Sequence, residues 1–302
     1  MLVVLIVMTQ TVNMSIKLSV VIPTLGGSQL NETISSILQS TLVPDEILIC
    51  LPKFNELFLE EKLINKVQII RTDEKAQVLQ RSIGFCSARG DFVLQLDDDV
   101  ILEKDCILTM WQFLNTNKES ASVAPVFHNK STKAANYYNH DSFFRKALYW
   151  LLNGDSGFQA GKISLSGMAF IFDFQDKKNS INKVDWLPGG CVLHKKESLI
   201  LENYYPFNGK AYGEDLIHSF ILRKNLVNLY VHQDAIAFLD FVHIKHSLVE
   251  LRKEYYAVKY HCILMSKNLT RIRLYYAIHF FRFIFDKIID ELKIILKNMR
   301  RK

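Results

Sequence analysis

Three consecutive carboxylates, Asp97, Asp98 and Asp99, follow the apolar run Asp91–Leu96 (DFVLQL). Carboxylates this close repel one another, and burial without a counter-charge pushes them toward their neutral form. A divalent cation reverses that preference. Magnesium takes one or two carboxylates and completes its shell with substrate phosphates, and manganese accepts the same ligands. The competing reading is a solvated acidic turn ahead of the next helix. A second acidic group, Gly213-Glu214-Asp215, opens the amphipathic stretch 214–224. The helix macrodipole alone explains acids at such a position. The flanks WLPGG (186–190) and FNGKAYGED (207–215) nevertheless read as a pocket wall, in which a carboxylate would serve as general base toward a hydroxyl.

Lys75, Gln77 and Arg81 lie one helix ahead of the acidic triplet. They are either solvated helix residues or, in a phosphate site, a set in which Arg81 pairs with a diphosphate. His243 and His246 follow a late apolar stretch, where they would ligate a metal, meet a diphosphate or serve structure alone. There is no Walker A loop, no G-x-G-x-x-G, no G-x-S-x-G and no H-E-x-x-H. Those absences count against P-loop, dinucleotide, hydrolase-elbow and zincin chemistry.

The elements that must hold these residues follow from periodicity. Leu18–Ile22 (LSVVI), Glu46–Leu51 (EILICL), Lys66–Arg71 (KVQIIR) and Asp91–Leu96 read as strands, with helices at 29–40 and 76–88 between them. Strands alternating with crossover helices predict a parallel sheet, whose ligands bind beyond the carboxyl ends of the strands. The acidic triplet sits at one such end. Residues 104–117 and 214–224 read as helices and Ala121–Phe127 as a strand, whereas 128–163 is polar and aromatic without a clean period.

From about residue 250 the chain reads as helical to its end. Ile278, Phe281, Phe285, Ile288, Leu292, Ile295 and Met299 recur at steps of three and four, opposite a charged side. Residues 241–302 carry 14 Lys/Arg against 5 Asp/Glu, so of the net +6 the remaining 240 residues carry −3. A basic amphipathic tail predicts contact with an anionic surface. Membrane lipid is favoured over nucleic acid, for which no binding module is present. Charges interrupt the tail too often for a membrane span. Five scattered cysteines imply reduced thiols and a cytoplasmic protein rather than a disulfide frame. The apolar run Met1–Met8 is short and lacks a preceding basic residue.

The ordered combination SVVIPT (19–24), PDEILI (44–49), the helix with Arg81 and Gly84 leading into ARGDFVLQLDDD (88–99), VDWLPGGCVLHK (184–195) and YGEDLIHSFILRK (212–224) resembles the family 2 glycosyltransferases of the GT-A fold. The resemblance implies an α/β fold of GT-A type, a Rossmann-like mostly parallel sheet flanked by helices, with a C-terminal helical extension. It divides the chain into a leader (1–16), the transferase domain (17–250) and a basic amphipathic extension (251–302).

It further implies that Asp97 and Asp99, with His243, hold a manganese or magnesium ion on the diphosphate of a nucleotide-sugar donor, with Asp98 beside them. Asp215 would be the catalytic base and Glu214 its neighbour at the acceptor. Pro23, Thr24, Lys75, Gln77 and Arg81 would line the nucleotide and phosphate side, and Trp186, Gly189 and Gly190 the sugar side. The implied reaction is inverting transfer to a saccharide or lipid-linked saccharide in cell-surface polysaccharide synthesis, peripheral at the inner face of the membrane, with no nucleic-acid partner.

The sequence departs from the family where β-strand Glu46–Leu51 runs into Pro52-Lys53 instead of an acidic pair, and where His243 stands further than usual from Gln233-Asp234-Ala235. The rival classes are a sugar-1-phosphate nucleotidyltransferase, which needs a basic phosphate loop that Thr24–Gln29 does not supply, and a non-catalytic saccharide-binding relative.

Overall fold

The computed structural model describes residues 17–133, 140–174, 179–207, 210–240 and 247–299, all with side chains except 286, 287 and 290–299. The expected leader 1–16 and both His243 and His246 lie outside the described residues.

Strands β1 (Leu18–Pro23), β2 (Glu46–Pro52), β3 (Gln68–Thr72) and β4 (Phe92–Leu96) pair in parallel in the order β3-β2-β1-β4. A parallel strand covered on both faces must be apolar at successive positions, and β1 and β2 are buried along their whole length. Side chains alternate between faces. Val20, Ile22, Ile49 and Leu94 therefore meet helices α1 (Leu30–Leu38) and α4 (Cys106–Thr116) through Ile34, Ile37, Ile107 and Met110. Val21, Leu48, Cys50 and Val93 meet Phe85 of α3 (Gln77–Ser87) on the opposite face. The single turn α2 (Glu61–Ile64) precedes β3.

The second half of the sheet is mixed. β8 (Cys191–Lys195) inserts antiparallel between β4 and β6 (Ala121–Asn129). β9 (Asn228–Leu239) runs parallel to β6, and the short strands β5 (Ile101–Leu102) and β7 (Ile181–Lys183) pair antiparallel with β9. Helix α6 (Glu214–Lys224) packs Leu222 against Val192 and Val231, on the sheet face that also carries α3. That shared face lets α3 and the head of α6 meet over the end of β4.

Between β6 and β7, α5 (Phe143–Asn153) starts where Ser142 accepts a hydrogen bond from the Arg145 amide and ends at Gly154, whose φ of +77° terminates the helix in the left-handed region. Helix α7 (Leu248–Leu264) begins with a reciprocal Ser247–Glu250 capping box. It lies against the domain: Ala257 and Val258 approach Gly213, and Tyr260 meets Phe207 edge to face. Helix α8 (Leu269–Met299) folds back on α7 through Ile272 and Tyr276, which pack on Val258 and Cys262.

Candidate active site

Every acidic residue singled out in the sequence lies at the carboxyl edge of β4 or at the head of α6. Asp97 continues β4, and its backbone N–H donates to the Gly190 carbonyl at 2.9 Å. Its Oδ1 accepts from Gln77 Nε2 at 3.1 Å and from Arg81 Nη2 at 3.3 Å. Asp98 is tied to the end of β1, where its Oδ2 accepts from the Thr24 hydroxyl and its carbonyl accepts from Thr33 Oγ1 at 2.9 Å. Pro23 and Thr24 are buried there. Asp99 is exposed, with Asp240 and Lys210 near enough to act on it electrostatically.

Burial pushes Asp97 up to about 6 against the pull of Arg81, with Glu214, Asp99 and Asp98 adding like charge. Asp99, though exposed, is raised by partial desolvation and by the Asp98 charge. The acidic turn is therefore short of positive charge, the condition a cation would relieve. Among the described residues no group of three or more His, Cys, Asp and Glu side chains is arranged to hold a metal. The residues present fit a cation carried by two carboxylates and completed by donor phosphates.

At α6, Gly213 adopts φ +61° and Glu214 and Asp215 fill the first turn. Both oxygens of the buried Glu214 accept hydrogen bonds, Oε1 from Arg81 Nη1 at 2.7 Å and Oε2 from the Tyr204 hydroxyl at 2.6 Å. Burial opposes its ionisation, but Arg81, His218 and those two donors hold Glu214 down to about 2. Asp215 goes the other way. Burial and the neighbouring Glu214 charge raise it well above the usual carboxylate range, although the Gly189 backbone hydrogen-bonds it.

Arg81 joins the two acidic groups. It is only 1% exposed, and its guanidinium bridges Glu214 and Asp97. The sequence suggests Arg81 facing a diphosphate; in the structure its guanidinium is bound to Glu214 and Asp97. Gly189 and Gly190 run through the gap between the two groups. A Cβ on Gly189 would stand 2.4 Å from Asp215 Oδ1 and 2.7 Å from Glu214 Oε1, so a larger residue would displace the acid pair. Gly190 lies against Asp97 Oδ2, and Gln95 Nε2 donates to the Gly189 carbonyl at 2.5 Å.

Asp215 opens onto a cavity of about 450 Å³ lined also by Trp186, Lys210, Tyr212, Met168 and Glu254. Trp186 is fixed by donation from Nε1 to the Phe170 carbonyl at 2.9 Å and by its ring against Phe172 at 4.4 Å. Lys75 is exposed just ahead of α3. Sequence reasoning missed Tyr204, His218, Gln80, Gln95 and the α7 residue Glu254. Tyr204 stacks on His218 at 5.3 Å, and Gln80 Nε2 donates to the carbonyls of Thr24 and Cys50 at 2.9 and 2.7 Å. Of these, Gln95 carries a signal in the sequence, a polar side chain inside the apolar run Phe92–Leu96, whereas the others stand among polar or charged neighbours.

The sheet order and helical cover are those of a GT-A glycosyltransferase. The solved structure of GalNAc-T7 with UDP, GalNAc and Mn2+ superposes with a TM-score of 0.58 at 16% identity, covering 81% of this chain and 48% of that one. This chain thus spans about half the length of that structure's chain. S. aureus TarS (1–349) in complex with UDP-GlcNAc aligns with a TM-score of 0.48 at 13% identity, covering 82% and 66%. No curated protein matches the sequence. The chain belongs to Glycosyl transferase family 2, whose family model matches residues 19–173, just over half of its length.

Proposed function

We propose that this glycosyltransferase transfers a sugar, with inversion, from a nucleotide-sugar donor to a saccharide hydroxyl in a cation-assisted reaction. The observation that carries the reading is the Arg81 bridge. It holds the acidic turn after β4 and the acid pair of α6 on either side of Gly189-Gly190, with the cavity opening at Asp215. The structural relative GalNAc-T7, solved with UDP, GalNAc and Mn2+, supports a nucleotide-sugar donor.

Asp97 and Asp99 would hold the divalent cation. When bound, it would offset the negative charge that grows on the leaving diphosphate. Thr24 fixes Asp98 so that the turn keeps its shape, and Pro23 and Gln77 border the donor side. Lys75, exposed ahead of α3, would meet the phosphates. Arg81 acts as a positioning residue rather than a phosphate ligand.

In the transfer step the acceptor oxygen attacks the anomeric carbon and the bond from that carbon to the phosphate oxygen breaks. The electron pair leaves with the nucleoside diphosphate, and Asp215 takes the hydroxyl proton. A carboxylate raised toward the working pH is a stronger base than an ordinary one. Glu214, locked as an anion, keeps Arg81 in place and raises Asp215. Trp186, Gly189 and Gly190 shape the sugar side.

The acceptor in this reading is a saccharide, free or lipid-linked, of a growing cell-surface polysaccharide. The enzyme would sit peripherally on the anionic inner face of a membrane, a placement supported by the basic balance of residues 241–302. We take the catalytic unit to include α7, because Glu254 and Val258 line the cavity. The test is nucleoside diphosphate release from a panel of nucleotide sugars with manganese. Asp215→Asn should keep donor binding and lose at least about 10²-fold in turnover; full turnover by that variant would remove Asp215 from the base role.

A further inference from the structure

Helix α8 has two apolar sides, of which only one is covered. Ile272 and Tyr276 are buried against α7. Leu274, Ile278, Phe281, Phe285 and Ile288, spaced three and four apart on another side, are exposed, Phe281 at 70% and Phe285 at 61%. Helix α5 repeats the arrangement, with Tyr149, Leu151 and Leu152 buried but Phe143 and Trp150 exposed at 80% and 60%. Phe143 and Trp150 are seven residues apart and so share one side of their helix. Scattered exposed apolar residues need no explanation, but apolar stripes on the open sides of two abutting helices do.

The two stripes meet at one residue. Arg271 Nη1 donates to the carbonyls of Trp150 and Leu151 at 2.9 and 3.0 Å, and its guanidinium carbon lies 5.9 Å from the Trp150 ring centroid. At 100° per residue Arg271 and Arg273 border the α8 stripe on opposite sides. Residues 271–302 carry nine Lys/Arg against three Asp/Glu. An aromatic and aliphatic stripe, a tryptophan beside an arginine at its rim, and basic flanks together match the headgroup zone of an anionic leaflet.

We infer that α5 and α8 form a single docking face for an anionic lipid surface, and that this face holds the acceptor cavity close to the lipid. The inner side of α8 reaches the cavity through α7, as the Tyr276 hydroxyl donates to Glu254 Oε1 at 3.1 Å and Glu254 lines the cavity. The end of α5 and the start of α8 also grip one segment. The Ser166 amide donates to the Leu152 carbonyl at 3.0 Å and the Asn268 amide to the Leu165 carbonyl at 2.9 Å, just ahead of the cavity residue Met168. Helix α8 and the α7 residues Glu254 and Val258 therefore stand between the docked plane and the cavity. An acceptor built on a membrane lipid would present its glycan on the cavity side of those helices. Only this last step rests on the proposed sugar transfer.

The experiment is co-sedimentation of the full chain with phosphatidylcholine vesicles containing or lacking phosphatidylglycerol, beside sedimentation velocity without lipid. Salt-sensitive binding to the anionic vesicles is expected. Phe281→Asp/Phe285→Asp should weaken it at least about tenfold, and Phe143→Ser/Trp150→Ser at least about threefold. Thermal unfolding would show each variant folded. Wild-type binding by the α5 double variant overturns the two-helix face. Equal binding to neutral vesicles, or none to either, overturns the lipid assignment, as does a dimer that the same variants dissolve. Thermal stabilisation by a nucleotide sugar, which these surface variants should keep, reports separately on the transferase reading.

Discussion

Glu214 and Asp215 are adjacent in the chain, yet their surroundings drive them in opposite directions. Glu214 meets a guanidinium and a phenol and stays ionised down to about 2, while burial and the Glu214 charge raise Asp215. Because the proposed base works only when deprotonated, turnover should fall as the pH drops through the raised pKa of Asp215. The acidic limb of the kcat profile should then lie well above the ordinary carboxylate range. A limb inside that range would contradict the assignment. Arg81 is buried between its two acids, so Arg81→Met should leave both uncompensated and destabilise the fold by about 3–5 kcal/mol, read by urea unfolding. The acids themselves were legible as types from the sequence. Their connection through Arg81 was not, because 133 residues separate Arg81 from Glu214 and no local pattern records a contact at that range.

At the scale of elements, the parallel half of the sheet was readable because β1, β2 and β4 are apolar runs covered on both faces. Helix α6 was read with its observed bounds, since Gly213 and two acids mark its start. Helix α5 escaped notice because Phe143, Phe144 and Trp150 place large apolar groups on its outer side and blur the period. The sequence suggests a strand end near His243 but not the extent of β9, because its pairing with β6 slips between Pro125 and Val126, opposite the polar His232-Gln233-Asp234 stretch, which breaks the alternation. The turn between Trp186 and β8 has a steric demand the sequence only hinted at. Gly189→Ala should push Asp215 and Glu214 from their places and reduce turnover at least about tenfold with the fold retained, measured as nucleoside diphosphate release beside circular dichroism. Unchanged turnover would show that the gap between the acids tolerates a side chain.

Over the whole molecule, the family match ends at residue 173, while the acid pair, most of the cavity wall and the helices α7 and α8 follow it. The expected break at residue 250 falls inside α7, and that helix supplies Glu254 and Val258 to the cavity. We propose that the C-terminal helices serve the acceptor side of the enzyme. Among the described residues no helix is long and apolar enough to cross a membrane. Removing residues 270–302 should abolish vesicle partition and also loosen Glu254 through the loss of Tyr276, raising the acceptor KM more than the donor KM. Equal effects on both would place α8 away from the acceptor.

The most direct test of the single cleft is thermal unfolding of the wild type, Asp99→Ala and Asp215→Asn across a panel of nucleotide sugars with and without manganese. The account predicts that at least one nucleotide sugar raises Tm only when manganese is present, that Asp99→Ala loses this rise, and that Asp215→Asn keeps it. A rise that survives Asp99→Ala, or no rise with any nucleotide sugar, would contradict it.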